Sequence, residues 1–273
     1  MSGLLGASEI REIAARIGVV PTKKLGQNFV VDANTCRRIV KAADVVSNDI
    51  ALEIGPGLGS LTLALLECAK EVIALEIDSR LAEELPHTAS RHGLGEHLRV
   101  INQDAMELDS AIGLPTVLVA NLPYNVSVPV FLRALEKLPT LERAVVMVQS
   151  EVADRLTAGP GTKSYGSPSV KASWWGKLTP AGSVARSIFW PIPNVDSSLV
   201  RFDRKEVPGD EKLRLKTFEI IDGAFAQRRK MLRSALAGIL AHPTESIERA
   251  GIDPTLRGES LTLKEFIEIA KND

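Results

Sequence analysis

Asn121-Leu122-Pro123-Tyr124 sets an amide, a backbone carbonyl, a ring with no N–H and an aromatic face side by side. The apolar run before it, Val117-Leu118-Val119-Ala120, reads as a buried strand. At the end of such a strand these parts suit gripping a planar, nitrogen-bearing group. An amine conjugated to a ring is a poor nucleophile, because its lone pair is delocalised. Acceptors on its two hydrogens, the Asn121 side-chain oxygen and the Leu122 carbonyl, would orient it and help it pyramidalise. Pro123 fixes φ and adds no competing donor, and Tyr124 would stack on the ring. The plainer alternative is a strand ending in an Asn-Pro turn.

A second stretch bears on this choice. Glu53-Ile54-Gly55-Pro56-Gly57-Leu58-Gly59 follows another apolar run and opens a helix. Glycines let the backbone approach a ligand closely and take up positive φ. The dinucleotide fingerprint is G-x-G-x-x-G, with a pyrophosphate on the helix N-terminus. Here the third glycine comes one place early, after an acid. That form resembles the first motif of the S-adenosylmethionine-dependent methyltransferases. Glu76 ends the next strand, where a carboxylate can take both ribose hydroxyls, and Asp104 follows the third, where it can accept from an adenine amino group. Singly, each reads as a solvated acid; at successive strand ends they indicate a nucleoside-bearing cofactor. S-adenosylmethionine meets that description and has no phosphate to bind. The scheme uses no metal and no strong general base, so catalysis would be mostly placement.

These residues need a frame. Ile50–Ile54, Val72–Leu75, Leu98–Ile101, Thr116–Ala120 and Ala144–Val148 are short apolar runs, and helical stretches separate them near Leu61–Ala69, Ser79–Leu85, Ser127–Leu138 and Glu151–Leu156. The alternation predicts a Rossmann-like α/β domain, a parallel sheet covered on both faces. Ligands then sit at the carboxyl ends of the strands. Ahead of the sheet, Ser8 can cap a short helix on a mobile arm, with Ile10, Ile13 and Ile17 on one face, and Asn34 to Ala43 is helical again. Ser169–Trp175 and Ser197–Phe202 read as strands, and Pro208-Gly209 as a linker. Beyond it, Leu215, Phe218, Asp222 and Phe225 step at helical spacing, as do Leu232, Leu236 and Leu240. A last helix carries Leu263, Phe266, Ile267 and Ala270 on one side, with Thr262 and Glu265 as a capping box. The expected organisation is a catalytic domain at 1–205, including an arm at 1–30, and a small all-helical, RNA-binding domain at 206–273.

Composition sets the outer limits. The 273 residues are 45% hydrophobic and 25% charged, as in ordinary globular chains, and the net charge of −1 excludes a protein coated in basic charge. No apolar run is long enough to span a membrane, and the N-terminus lacks the blocks of a signal peptide. Cys36 and Cys68 stand in no metal or redox spacing, which suggests a reducing, cytoplasmic setting. Charge is nevertheless uneven. From Arg155 to Val195 there is no Asp or Glu, while Lys163, Lys171, Lys177 and Arg186 all fall there. A second cluster, Arg228-Arg229-Lys230 with Arg233, is expected to open a helix of the small domain. A solvated face is the usual reading of a charge run; forty acid-free residues beside a target pocket favour phosphate contact. A base must leave its stack to reach Asn121, at a cost of a few kcal/mol. Phe189 is the candidate for a second ring, opposite Tyr124.

Taken together, five blocks resemble one family: Lys24-Leu25-Gly26-Gln27-Asn28-Phe29, Glu53-Ile54-Gly55-Pro56-Gly57, Asn121-Leu122-Pro123-Tyr124-Asn125, Phe189 with Pro191, Pro193, Val195, Asp196 and Ser197, and Phe225 with Arg228-Arg229-Lys230. They resemble, in order and over nearly the whole chain, the ribosomal small-subunit RNA adenine dimethyltransferases, the kasugamycin-resistance methylases. The resemblance implies methylation at N6 of two adjacent adenosines in the 3′-terminal hairpin of 16S RNA, on an assembling subunit, by a protein expected to be monomeric. It implies cofactor contacts at Asn28, Gly55, Gly57, Glu76, Asp104 and Asn121, and by backbone at Val30, where the family usually has Leu. Val126-Ser127-Val128 replaces a commoner Ile-Ser-Thr. Two alternatives share the fold: the erythromycin-resistance methylases of 23S RNA, and assembly or transcription factors that act mainly by binding.

Overall fold

The computed structural model describes residues 3–21 and 27–273. Lys24, Leu25 and Gly26 of the first motif block lie outside the described residues. The described chain forms two compact units, one of residues 1–153 and 179–204, the other of 154–178 and 205–273.

The first unit is built on a sheet. Its strands are β2 (Ile50–Ile54), β3 (Glu71–Glu76), β4 (Leu98–Asn102), β5 (Val117–Asn121), β6 (Arg143–Gln149), β7 (Gly176–Val184) and β9 (Ser197–Arg204), in the order β4-β3-β2-β5-β6-β9-β7. β2 to β6 pair in parallel, and β9 pairs antiparallel to β6, from Arg143↔Asp203 to Gln149↔Ser197. The inner strands are apolar on both faces: Val117 to Ala120 are fully buried. β4, at the edge, is half exposed, and its Arg99 pairs with Glu71 on β3. The chain leaves β2 toward β3 and β4, then returns to β2's other side with β5. That reversal opens a crevice at the carboxyl ends of β2 and β5.

Helices α2 (Ala33–Ala42), α3 (Ser60–Leu66), α4 (Ser79–Arg91) and α5 (Ser127–Lys137) connect the strands, and α6 (Ser150–Thr157) follows β6. Asp32 and Asp78 cap α2 and α4 through their carboxylates. The N-terminal helix α1 (Ala7–Arg16) is docked rather than carried on a mobile arm: Ile10, Ile13 and Ala14 are buried, and Arg16 pairs with Glu84 of α4 at 2.6 Å. Its N-cap is Gly6, with no side-chain bond; Ser8 lies inside the helix and donates to Glu12 instead of capping. A two-stranded ladder then joins β1 (Phe29–Val30) to β8 (Phe189–Trp190), antiparallel, with Val30 opposite Phe189.

The second unit is helical: α7 (Ser167–Ala172), α8 (Glu211–Ala226), α9 (Leu232–Ala235), α10 (Pro243–Arg249) and α11 (Leu263–Lys271). Two expectations are corrected here. Residues 154–178 belong to this unit, because Tyr165 and Val170 bury in its core with Ile220, Ile221, Leu236 and Phe266. The predicted strand at 169–175 is largely α7: Pro168 stands in its first turn, and the Ser169 hydroxyl takes the Gly166 N–H. Along α8, Leu215 faces solvent, and Ile220, Ile221 and Ala224 make the buried stripe that Phe218 and Phe225 flank. Thr262 and Glu265 form the capping box of α11.

Candidate active site

Gly55 and Gly57 take φ of +72° and +58°, which few side-chain-bearing residues tolerate. Space matters as well. A Cβ at Gly57 would lie 2.8 Å from Cδ1 of Phe29, and one at Gly55 would lie 3.7 Å from both the Asn121 carbonyl and Cδ of Pro123. The glycine turn and the Asn121 corner are therefore neighbours across the β2–β5 crevice. Between them opens a cavity of about 260 Å³.

Its walls come from four directions. The turn after β2 gives Gly55, Pro56 and Gly57; the ends of β3 and β4 give Glu76 and Asp104; the end of β5 gives Asn121 and Pro123; and the segment leading into β1 gives Gln27 to Val30. Glu76 receives the Gly57 N–H on one oxygen at 3.1 Å and the Asp78 N–H on the other at 3.0 Å. A carboxylate offers about four lone-pair sites, so acceptor capacity remains for a ligand hydroxyl. Burial pushes this carboxyl up, and the backbone N–H groups of Asp78, Gly57 and Ile77 oppose the shift. Asp104 uses one oxygen on the Met106 N–H at 2.8 Å.

Asn121 donates its side-chain N–H to the Asn28 carbonyl at 3.1 Å. A carbonyl can only accept, so the amide nitrogen must face it and the amide oxygen remains the acceptor. Leu122 is buried, and its N–H is spent on the Met147 carbonyl at 3.1 Å, which ties this corner to β6. The Tyr124 hydroxyl sits 2.7 Å from that of Ser197 at the start of β9. Burial raises the Tyr124 phenol and the Ser197 bond partly offsets it.

Several lining residues carry no motif signal. Ser60, first in α3, donates to the Val30 carbonyl at 2.6 Å and pins the β1 backbone against the turn. Ile77 and Met106 line the cavity yet remain 52% and 40% exposed. Apolar residues one or two places behind Glu76 and Asp104 were the available sign. Glu53 also lines the cavity, 1% exposed, accepting from Thr62 Oγ1 at 2.6 Å. Burial pushes its carboxyl up to about 8; the Thr62 bond works against this and the Glu76 charge adds to it.

Phe189 is not brought to the cavity. It is 2% exposed and belongs to the core of the first unit. Neighbouring residues of a strand face opposite ways, so pairing with Val30 turns Phe189 inward and Trp190 outward, where Trp190 stacks on Phe29 at 6.1 Å between centroids. The basic residues also divide. Lys163, Lys177, Arg229, Lys230 and Arg233 are exposed. Arg186 is exposed and paired with Asp196 at 3.2 Å. Lys171 is engaged by Asp222 at 2.6 Å and by the Phe218 ring. Arg228 is clamped by Glu259 at 2.6 Å and by the Lys163 carbonyl at 2.8 Å. Residues 228–230 do not open a helix; they lie in the turn between α8 and α9.

A sheet of this strand order, with a glycine turn and an amide facing one another across its switch point, is the architecture of the Rossmann-like class I S-adenosylmethionine-dependent methyltransferases, here with a small helical unit attached. Within that class the chain belongs to the ribosomal RNA adenine dimethylase family, which it matches over residues 21–272. It is 54% identical over 273 residues to the ribosomal RNA small subunit methyltransferase A of Leifsonia xyli subsp. xyli, covering 98% of both chains. It is 54% identical over 279 residues to the protein of that name from Nocardia farcinica, covering 98% of this chain and 95% of the other. Among solved structures, a dimethyladenosine transferase from Plasmodium falciparum superposes with a TM-score of 0.75 at 25% identity, over 88% of this chain and 95% of that one. The 23S rRNA methyltransferase ErmE shares the fold, with a TM-score of 0.68 at 24% identity over 90% and 99% of the two chains.

Proposed function

We propose that this enzyme methylates N6 of two adjacent adenosines in the 3′-terminal hairpin of 16S RNA, within the assembling small ribosomal subunit. S-adenosylmethionine, when bound, supplies a methyl group activated by its sulfonium. The residues present fit it: a turn whose glycines leave room for close approach, Glu76 with acceptor capacity for ribose hydroxyls, and Asp104 with an oxygen for an adenine amino group. Asn28 and the Val30 backbone close the same cavity.

The observation that carries the reading is the Asn121 amide, whose bond to Asn28 commits its nitrogen and leaves its oxygen to accept. That oxygen and the Leu122 carbonyl hold the two hydrogens of an exocyclic amine, so the nitrogen lone pair is turned out of conjugation. Pro123 keeps the corner free of a competing donor, and Tyr124, held by Ser197, offers its ring to the base. Once methylated, the nitrogen is acidic, and its proton passes to water. Placement does most of the work. Lys163, Lys177, Arg186, Arg229, Lys230 and Arg233 are assigned to RNA phosphates; Lys171 and Arg228 hold the second unit together. The enzyme acts as a cytoplasmic monomer.

The test is incubation with labelled S-adenosylmethionine and, separately, undermethylated small subunits, large subunits and free RNAs, followed by nucleoside analysis. Labelled N6,N6-dimethyladenosine from small subunits is expected; label confined to large subunits would overturn the reading in favour of the 23S alternative.

A further inference from the structure

The six residues from Pro191 to Asp196 join β8 to β9, and both ends of this loop are fastened to the target corner. At one end Trp190 stacks on Phe29, which lines the cavity. At the other, Ser197 meets the Tyr124 hydroxyl at 2.7 Å, and Ser150 donates its N–H to the Asp196 carbonyl at 2.9 Å. Arg186 steadies the middle, reaching the Asn194 carbonyl at 3.4 Å. Outward the loop presents Ile192, 67% exposed, and Val195, 42%, beside the exposed polar Asn194 and Asp196. Ile192 stands between two prolines, of which Pro193 is buried. Proline fixes φ, so the side chain sits on a stiff tip.

An exposed isoleucine on a stiff, anchored loop beside the Tyr124 corner can make an apolar contact with a flat partner. The faces of stacked bases are such a partner, and Arg186, paired with Asp196, braces the loop that carries the isoleucine. Ile192 is two residues from Trp190, so its Cα lies within about 7 Å of that anchor. Proteins that unstack a nucleic acid often insert an apolar side chain into the step they open.

We infer that Ile192 is a wedge that occupies the stack vacated by the target adenosine and so holds the base out toward Asn121. This rests on the reading of the site as an RNA adenine methyltransferase. The wedge and the corner act as one device: the same loop that fixes Tyr124 through Ser197 also fills the gap left behind the displaced base. A base that could slide back into its stack would shorten its stay beside Asn121, so the effect belongs to the rate of transfer at saturating RNA more than to RNA affinity.

The experiment compares full-length Ile192→Ala, Ile192→Phe and Ile192→Asp with the parent enzyme. It measures single-turnover transfer from labelled S-adenosylmethionine to undermethylated small subunits, subunit affinity, cofactor affinity and the melting temperature. Ile192→Ala is expected to slow transfer about tenfold with cofactor affinity and melting unchanged, Ile192→Phe to restore it, and Ile192→Asp to be at least as slow as Ile192→Ala. Chemical probing of the nucleotides flanking the target, in the enzyme–subunit complex, should show unstacking with the parent enzyme and with Ile192→Phe only. Parental rates in Ile192→Ala would overturn the wedge, as would equal slowing in all three variants with lowered melting. Loss of subunit affinity with unchanged saturated rates would assign the tip to a ribosomal protein instead. If the parent enzyme itself transfers nothing to small subunits, the reading of the site fails first.

Discussion

The Asn121 side chain gives its N–H to the carbonyl of Asn28, 3.1 Å away and 93 positions earlier in the chain. One hydrogen bond thus does two things: it closes the segment ahead of β1 over the cavity, and it decides which atom of the amide meets the substrate. Asn121→Ala removes the acceptor and frees the Asn28 segment; it should slow methyl transfer about a hundredfold or more, on the order of an oriented active-site group, and weaken cofactor binding by a smaller factor. Asn121→Asp keeps an acceptor but sets a carboxylate against a carbonyl. It should be nearly as slow, and equilibrium binding of the cofactor, measured by calorimetry beside single-turnover rates, separates the two effects.

The turn at Gly57 is held by its own N–H on Glu76, so the backbone shape and the carboxylate depend on each other. Gly57→Ala adds a methyl at φ +58° and 2.8 Å from the Phe29 ring. The strain is of order 1–3 kcal/mol, and cofactor binding should be lost along with some stability. Glu76→Gln retains the size but not the charge. Charge-assisted hydrogen bonds contribute about 1.5–3 kcal/mol, so the cofactor should bind roughly tenfold or more weakly, read by calorimetry, and the melting temperature of the free enzyme should fall too, because the glutamine nitrogen cannot accept from Gly57 or Asp78.

Those two sites were legible in the sequence because each is written into a short stretch of backbone. A glycine turn after an apolar run, an acid at a strand end and an amide before a proline need no distant partner to be recognised. What escaped depended on distant partners. Whether Phe189 or Trp190 faces inward is a matter of parity in a two-residue strand, and β1 sets it from about 160 positions away. Val170, Trp174 and Trp175 look like strand residues, yet Pro168 and the Ser169 hydroxyl start a helix there. Arg228 reads as one more cation in a basic run until Glu259, 31 positions on, is found against it.

The parity of β8 gives a prediction of its own. Phe189→Ala empties a fully buried ring site, and such truncations cost about 3–5 kcal/mol. Trp190→Ala removes a half-buried ring stacked on Phe29 and should cost less. Denaturant melts should therefore rank Phe189→Ala as the more destabilised. Transfer rates, measured well below both midpoints, should fall more for Trp190→Ala, since Trp190 anchors the loop that carries Ile192.

Glu53 makes stability depend on pH in the direction opposite to an ion-paired acid. Its carboxyl is raised from an ordinary 4.5 to about 8 by burial, so between those values the native state holds a proton that the unfolded chain has released. Stability contributed by this group is then full below pH 4.5, falls as pH rises, and levels off above about 8. The slope is about 1.4 kcal/mol per pH unit in that window. Glu53→Gln cannot titrate, and its stability measured from about pH 5 to 8 should lack this decline; a parent enzyme with a flat profile there would refute the assignment.

The basic residues of the second unit should separate into two behaviours. Arg229, Lys230 and Arg233 are exposed, and each that neutralises a phosphate contributes about one unit to the dependence of log affinity on log salt. Reversing Arg229 and Lys230 together should weaken small-subunit binding and flatten that slope by roughly two, with thermal stability unchanged. Arg228 is different: its guanidinium joins Glu259 to the carbonyls of Thr162 and Lys163 within one unit. Arg228→Ala should cost on the order of 1 kcal/mol of stability, as for a partly exposed pair, and act on RNA binding only through that loss. Filter binding across a salt series, run beside melting curves on the same variants, distinguishes a phosphate contact from a brace, because only the first changes the slope.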